Sequence, residues 1–165
     1  MPELQPLRAD HEGAVLAFEV ANRSYFAGFI SDRGDAFFDH FAEQQARLLA
    51  EQEVGEAAYH VLVADDGSVV GRFNLRDIGN GSAVLGYRVA QHVAGRGVAT
   101  AAVEELCRAA AERFGLRVVH AATSDANVAS QRVLAKAGFV RMRPADPAEL
   151  GGKAGSWYEW RPEPS

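Results

Sequence analysis

The sequence is short of most features that would mark a specialised class of protein. It has one cysteine, Cys107, which excludes an internal disulfide and a cysteine-rich metal site. A reducing cytoplasm is the compartment this favours. None of its five histidines pairs at a ligand spacing such as H-x-x-x-H, which argues against a metal centre. No apolar run is long enough to span a bilayer, and "MPELQPLRAD" lacks the basic-then-apolar order of a secretory signal. No membrane partner is expected. Positive charge is also scarce: 17 Lys and Arg face 22 Asp and Glu, for a net charge of −5. That balance argues against a broad nucleic-acid footprint, so any bound anion must be held by a local device.

What is present suits one domain spanning residues 1–165. Hydrophobic residues make up 48%, enough for a substantial core, and no repeat or linker divides the chain. "ELQPLR" reads as a first strand. Asp10 is placed to cap a helix through "HEGAVLAFEVAN", with Ala14, Phe18 and Ala21 on its apolar face. "DAFFDHFAEQQARLLAEQ" predicts a second helix, with Phe37, Phe41, Leu48 and Leu49 near one face. The aromatic stretch between them, "RSYFAGFISDRG", is a core-packing turn or a pocket wall. "AYHVLVA", "VVGRFNLRDI" and "AVLGYRVA" then form an antiparallel meander, joined by turns at "DDGS" and "GNGS". Helix, strand, helix and strand follow, and "GSWYEWRP" closes the chain as an aromatic strand. A meander followed by crossover units implies a mixed sheet covered by helices, an α+β class.

The junction "YRVAQHVAGRGVATAAVEEL" carries the chemistry. A strand runs through a glycine-flanked arginine and restarts at once as an amphipathic helix, with Val98, Ala102, Leu106 and Ala110 on one side. The first turn of a helix leaves N–H groups without partners, and its dipole adds roughly half a positive charge. Gly95 and Gly97 permit close backbone approach, and Arg96 offers a charge-assisted contact. These are the parts of a phosphate cradle. A tight strand-to-helix turn explains the glycines equally well. The dinucleotide fingerprint G-x-G-x-x-G fails, because Thr100 stands where its third glycine belongs. The Gly-Lys-Ser/Thr ending of a P-loop is absent.

The residues resemble the GNAT acetyltransferases, whose signature Arg/Gln-x-x-Gly-x-Gly/Ala follows a strand and opens a helix. Here it reads Ala94-Gly95-Arg96-Gly97-Val98-Ala99; Gly97 and Ala99 match, and Ala94 departs from it. "SDANVASQRVLAKAGF" is similar to a second signature through Asn127, Ser130, Leu134, Lys136, Gly138 and Phe139. The similarity runs from about Leu4 to Trp160. "ANRSYF", "LGYRV" and "GSWYEW" resemble the branch that acetylates N-terminal alanine or serine of ribosomal proteins.

The resemblance implies a mostly antiparallel sheet of about seven strands, splayed in the middle, with acetyl-coenzyme A as co-substrate and no metal. Amides from Gly95 through Thr100, with Arg96, Val98 and Ala99, are expected to wrap the pyrophosphate. Backbone near Val89 is expected to pair with pantetheine as an added strand does, giving an irregular strand end there. Asn127 reaches the pantetheine arm or caps its helix, and the two roles are compatible. Ser130 stabilises the departing thiolate, or bonds back to the Ala126 carbonyl. Many relatives place a thiolate-protonating tyrosine where this chain has Leu134, and some place glutamate at Val84; neither is present. The implied reaction is direct attack of a neutral amine on the thioester, on a protein N-terminus or a small amine. Asp77, His120, Glu159 or water is the expected base, although each side chain has an ordinary surface or structural reading. Trp157, Tyr158 and Trp160 pack a terminal strand or face the acceptor. Cys107, mid-helix beside Val103, reads as a buried inert thiol. An edge strand or the aromatic front loop could support a homodimer, and a coenzyme A sensor without turnover is the alternative function.

Overall fold

The computed structural model describes residues 1–163. One seven-stranded sheet runs through it, made of β1 (Glu3–Pro6), β2 (Ala58–Val63), β3 (Val69–Gly79), β4 (Ser82–Val89), β5 (Val118–Ser124), β6 (Val140–Ala145) and β7 (Gly155–Trp160). The order across the sheet is β1-β2-β3-β4-β5-β7-β6, so the aromatic C-terminal strand lies between β5 and β6. Every pairing is antiparallel except β4 with β5. Parallel neighbours need a crossover, and α5 (Val98–Phe114) supplies it. The "GNGS" turn has Asn80 at φ 54° and Gly81 at φ 77°, the paired left-handed conformation that a two-residue hairpin favours.

Helices cover both faces of the sheet. α5 buries Ala102, Val103, Leu106, Cys107 and Ala110, a stripe set by its 3.6-residue period. The other face is covered by α1 (Glu12–Ala21) and α4 (Phe41–Glu53), which pack on β3 and β2. α6 (Val128–Lys136) buries Leu134 and packs against α5. Phe73, Leu75, Leu106, Leu134, Val103 and Val119 are fully enclosed at the centre.

Three expectations from the sequence are corrected, and the aromatic stretch 23–34 serves both expected roles, Phe26 in the core and residues 29–31 on the wall of a cleft. Asp10 caps nothing: its carboxylate accepts from Arg8 Nε at 3.1 Å, and a single 3-10 turn precedes α1. The buried face of α1 is Val15, Phe18, Glu19 and Asn22, whereas Ala21 is exposed. The long second helix breaks at His40 (φ −114°) into α3 (Asp35–Asp39) and α4, which turns Phe41 into the core. Between α1 and α3 the aromatic stretch forms a short helix, α2 (Arg23–Ala27), and Arg23 clamps Asp32 at 2.8 Å and Asp35 at 2.9 Å.

Candidate active site

β4 and β5 share only three residue pairs, Ser82–Val118, Ala83–Val119 and Val84–His120. Beyond them β4 stays in register with β3 as far as Val89, and β5 follows β7 as far as Ser124. The strands therefore part, leaving the edge of β4 from Leu85 to Val89 unpaired on its β5 side. The pairing of β4 with β3 is regular to its end, so the irregular strand end expected at Val89 is absent. The open edge faces β5 and comes from splaying, not from a bulge.

At the end of β4 the chain passes through a 3-10 turn, Gln91–Val93, into the glycine loop. Gly95 and Gly97 both adopt φ 77°, and a Cβ at either position would meet open space. Gly97 caps α5 in the left-handed region, with no side chain bonded to the helix end. Among the described residues, none of the six amides from Gly95 to Thr100 finds an acceptor; the first bonded amide is that of Ala101, to Gly97 O at 3.1 Å. Arg96 is exposed at the crest of the loop. Six unpaired donors at a dipole-bearing helix start, beside an open strand edge, match the demands of a diphosphate with an extended amide-bearing tail.

A hydroxyl pair sits in the gap. Tyr87 OH and Ser130 Oγ lie 2.9 Å apart, joining β4 to α6. Tyr87 stacks on Phe73 with ring centres 5.5 Å apart and planes within 6°. Burial pushes the Tyr87 phenol up to about 12, so it keeps its proton at neutral pH. Asn127 caps α6, its Oδ1 accepting from Ser130 N at 3.2 Å. The Ser130 hydroxyl is turned to Tyr87 rather than back to the Ala126 carbonyl. Sequence reasoning passed over Tyr87. The available signal was strand alternation, which puts Leu85, Tyr87 and Val89 on one face with Tyr87 as the single polar tip.

A cleft of about 980 Å³ opens from this pair. Its lining includes Val84, Gly86, Tyr87, Ser130, Leu134 and Trp157. The front segment Phe29–Ser31 and the loop Glu149–Lys153 bound its mouth, tied by a bond from Lys153 Nζ to the Phe29 carbonyl. Of the three residues expected as base, Asp77 alone lines the cleft; a bulge between Arg76 and Gly79 puts it at φ 54°. His120 and Glu159 face each other across β5 and β7, with Nδ1 to Oε1 at 3.5 Å, outside the lining. Glu51, which the sequence did not single out, lines the cleft and accepts from Tyr59 OH. Trp157 is the one of the three terminal aromatics that reaches the cleft, and Tyr158 packs in the core. Cys107 is buried, and burial pushes its thiol up to about 12.

Beneath the cleft Glu19 is buried with 1% exposure. Its Oε2 meets Arg72 at 2.8 Å and Arg33 at 3.6 Å, and its Oε1 meets Arg88 at 3.0 Å. Burial first, and then the neighbouring guanidiniums, lower the Arg88 pKa to about 10. A charge on the apolar stripe Val15-Phe18-Glu19 was the sequence signal for this cluster.

The comparisons agree with this geometry. The acetyltransferase (GNAT) domain family matches residues 3–140. The probable N-acetyltransferase YjcK of Bacillus subtilis (strain 168) is 29% identical over 147 residues, covering 82% of this chain and 78% of that protein. Among solved structures, the ribosomal-protein-S5-alanine acetyltransferase of Vibrio fischeri superposes with a TM-score of 0.90 at 20% identity, covering 97% of this chain and 92% of the other. Mycobacterium smegmatis RimJ, solved with CoA-disulfide, has a TM-score of 0.86 at 23% identity, covering 96% and 80%. With the family matched over most of its length and the splayed sheet in place, this chain belongs to the GNAT acetyltransferases.

Proposed function

We propose that this enzyme transfers acetyl from acetyl-coenzyme A directly to a primary amine, and that the amine is a protein N-terminal α-amine. The observation that carries the reading is the alignment of three features along one path: unpaired amides at Gly95–Thr100, the open edge of β4, and the Tyr87–Ser130 pair. The Vibrio fischeri neighbour, a ribosomal-protein-S5-alanine acetyltransferase, supports the choice of acceptor.

Acetyl-coenzyme A, when bound, supplies an activated thioester carbonyl. The chain does the rest. Amides from Gly95 through Thr100, with Arg96, Gly97, Val98 and Ala99 contributing backbone or charge, would hold the diphosphate. The β4 edge ending at Val89 would hold the tail in extended form, and Asn127 would fix the start of α6 beside it. In a hydroxyl pair one proton bonds internally and the other stays free. Tyr87 and Ser130 can therefore present a proton to departing sulfur, the role that the leucine at position 134 cannot fill. This pair also removes the main reason for reading the protein as a sensor without turnover.

An α-amine has an ordinary pKa of about 7.7–8.0, so at neutral pH a weak base suffices. Asp77 and Glu51, two of the carboxylates lining the cleft, would take its proton through solvent. The test is release of free thiol from acetyl-coenzyme A with a library of peptides bearing free or blocked N-termini. Acceptor-dependent release with free N-termini supports the reading. Coenzyme A binding without release across the library overturns it.

A further inference from the structure

The cleft is far more basic than the chain that forms it. Arg33, Arg47, Arg72, Arg76, Arg88 and Lys153 line it. The lining carboxylates are Glu51, Asp77 and Glu149, and Glu19 lies beneath as a fourth. A protein of net charge −5 has thus gathered an excess of cations in one concavity. The pairings do not use them up. Glu19 is a single carboxylate shared by Arg72, Arg88 and Arg33. Arg47 meets Glu51 at 3.8 Å, but Glu51 also accepts from Tyr59.

Arg76 is the informative member. Among the described residues its exposed side chain has neither an ion-pair partner nor a hydrogen bond. Its guanidinium lies over Gly86, where an added Cβ would be 3.6 Å from Nη2. Gly86 adjoins Tyr87 along β4 but belongs to the other face of the strand, and both residues line the one cleft. Arg88 follows Tyr87 on the same sheet face as Gly86, opposite Arg72. Arg76 and Arg88 thus gather on the β4 face opposite the Tyr87 side chain, in the cleft that Tyr87 also lines.

We infer that the acceptor is an anion-bearing amine, with a carboxylate close to its reacting nitrogen that is held by Arg76 and the neighbouring cations. Bidentate pairing of guanidinium with carboxylate gives direction as well as charge, and cations gathered in one concavity reinforce the attraction even where, as at Arg76, the side chain is exposed. A polyamine meets a net excess of like charge, six cationic side chains against three lining carboxylates. The carboxylate has two sources, an acidic side chain near a protein N-terminus or the α-carboxylate of a free amino acid. The inference rests on the cleft being the amine site of the proposed transfer.

The test separates the two. Binding of N-acetylated product peptides, which need no turnover, is followed by fluorescence anisotropy. Peptides with Glu in the second and third places are compared with Lys and Ala versions. The acidic peptide should bind about tenfold tighter than the basic one, and the advantage should shrink as salt rises. Free glutamate and N-acetylglutamate form the second arm, read by competition against the labelled acidic peptide. Preference for the peptide assigns the carboxylate to a side chain, and preference for the amino acid assigns it to the α-carboxylate. Arg76→Gln should narrow the acidic advantage and Arg76→Glu should invert it. Equal or basic-favouring binding, no binding of any acidic probe, or an unchanged preference in Arg76→Glu overturns the inference. Acidic-selective binding with no thiol release from any acceptor removes the transfer reading, and with it the acceptor role, and leaves only a carboxylate-binding cleft.

Discussion

Replacing Glu19 by Gln tests how the core tolerates its buried charges. The carboxylate is 1% exposed, and its guanidinium partners Arg72, Arg88 and Arg33 are 5%, 15% and 32% exposed. Both oxygens are engaged, so the amide group of Gln sets donors against donors. Two of the guanidiniums then lie largely out of water with no counter-charge. Removing one partner from a buried ion cluster costs about 3–5 kcal/mol. A domain of this size loses about 2–4 °C in melting temperature per kcal/mol, so a fall of roughly 6–20 °C is expected. Thermal melts by circular dichroism, with urea titrations to check that the slope is unchanged, measure it directly. Arg33→Gln, at the longest and most exposed contact, should cost less than about 1 kcal/mol. A Glu19→Gln melting point within about 2 °C of the parent would refute the view that Glu19 neutralises this cluster.

Tyr87→Phe and Ser130→Ala should each lower kcat by about 10- to 100-fold with little change in coenzyme A affinity, and the double variant should be no worse than the weaker single one; additive losses in steady-state kinetics would separate the two hydroxyls. Gly97→Val meets no protein atom, but it places a β-branched residue at φ 77°, a strain of about 1–3 kcal/mol. Calorimetry should show coenzyme A binding weakened well beyond the accompanying loss of melting temperature, and unchanged affinity in the folded variant removes the loop from the site. On the alkaline side, Cys107, Tyr59 and Tyr87 all have values raised to about 12, mainly by burial. The folded chain keeps protons that the unfolded chain releases, so stability should fall as pH rises from about 9 towards 12. On the acid side, burial lowers the pKa of His60, so the unfolded chain binds a proton that the folded one refuses; stability should decline below about pH 6.5. A pH series of urea midpoints checks both limbs, and a flat profile contradicts them.

The open backbone of the Gly95–Thr100 loop was legible because everything it needs is consecutive. A strand end, two glycines at positive φ and the first turn of α5 occupy one short stretch, and their donors belong to the backbone whatever the rest of the chain does. The hairpin at Asn80–Gly81 and the Asn127 cap were legible for the same reason: a local conformation or bond decides them. Asp10 was misread because a neighbouring charge, Arg8, captured its carboxylate. His40 broke the second helix because the core needed Phe41 on a different heading.

Alternation assigns strand residues to faces from the sequence alone, whereas helical period left the buried side of α1 to be set by packing, on Val15, Phe18 and Glu19. They do not say which distant residue will stand opposite. Tyr87 and Ser130 are 43 positions apart, and Glu19 lies 53 and 69 positions from Arg72 and Arg88. Only the parting of β4 from β5, and the docking of α1 and α6 on opposite faces of the sheet, brings those partners together. Packing of whole elements makes such contacts, and no local rule of spacing encodes them.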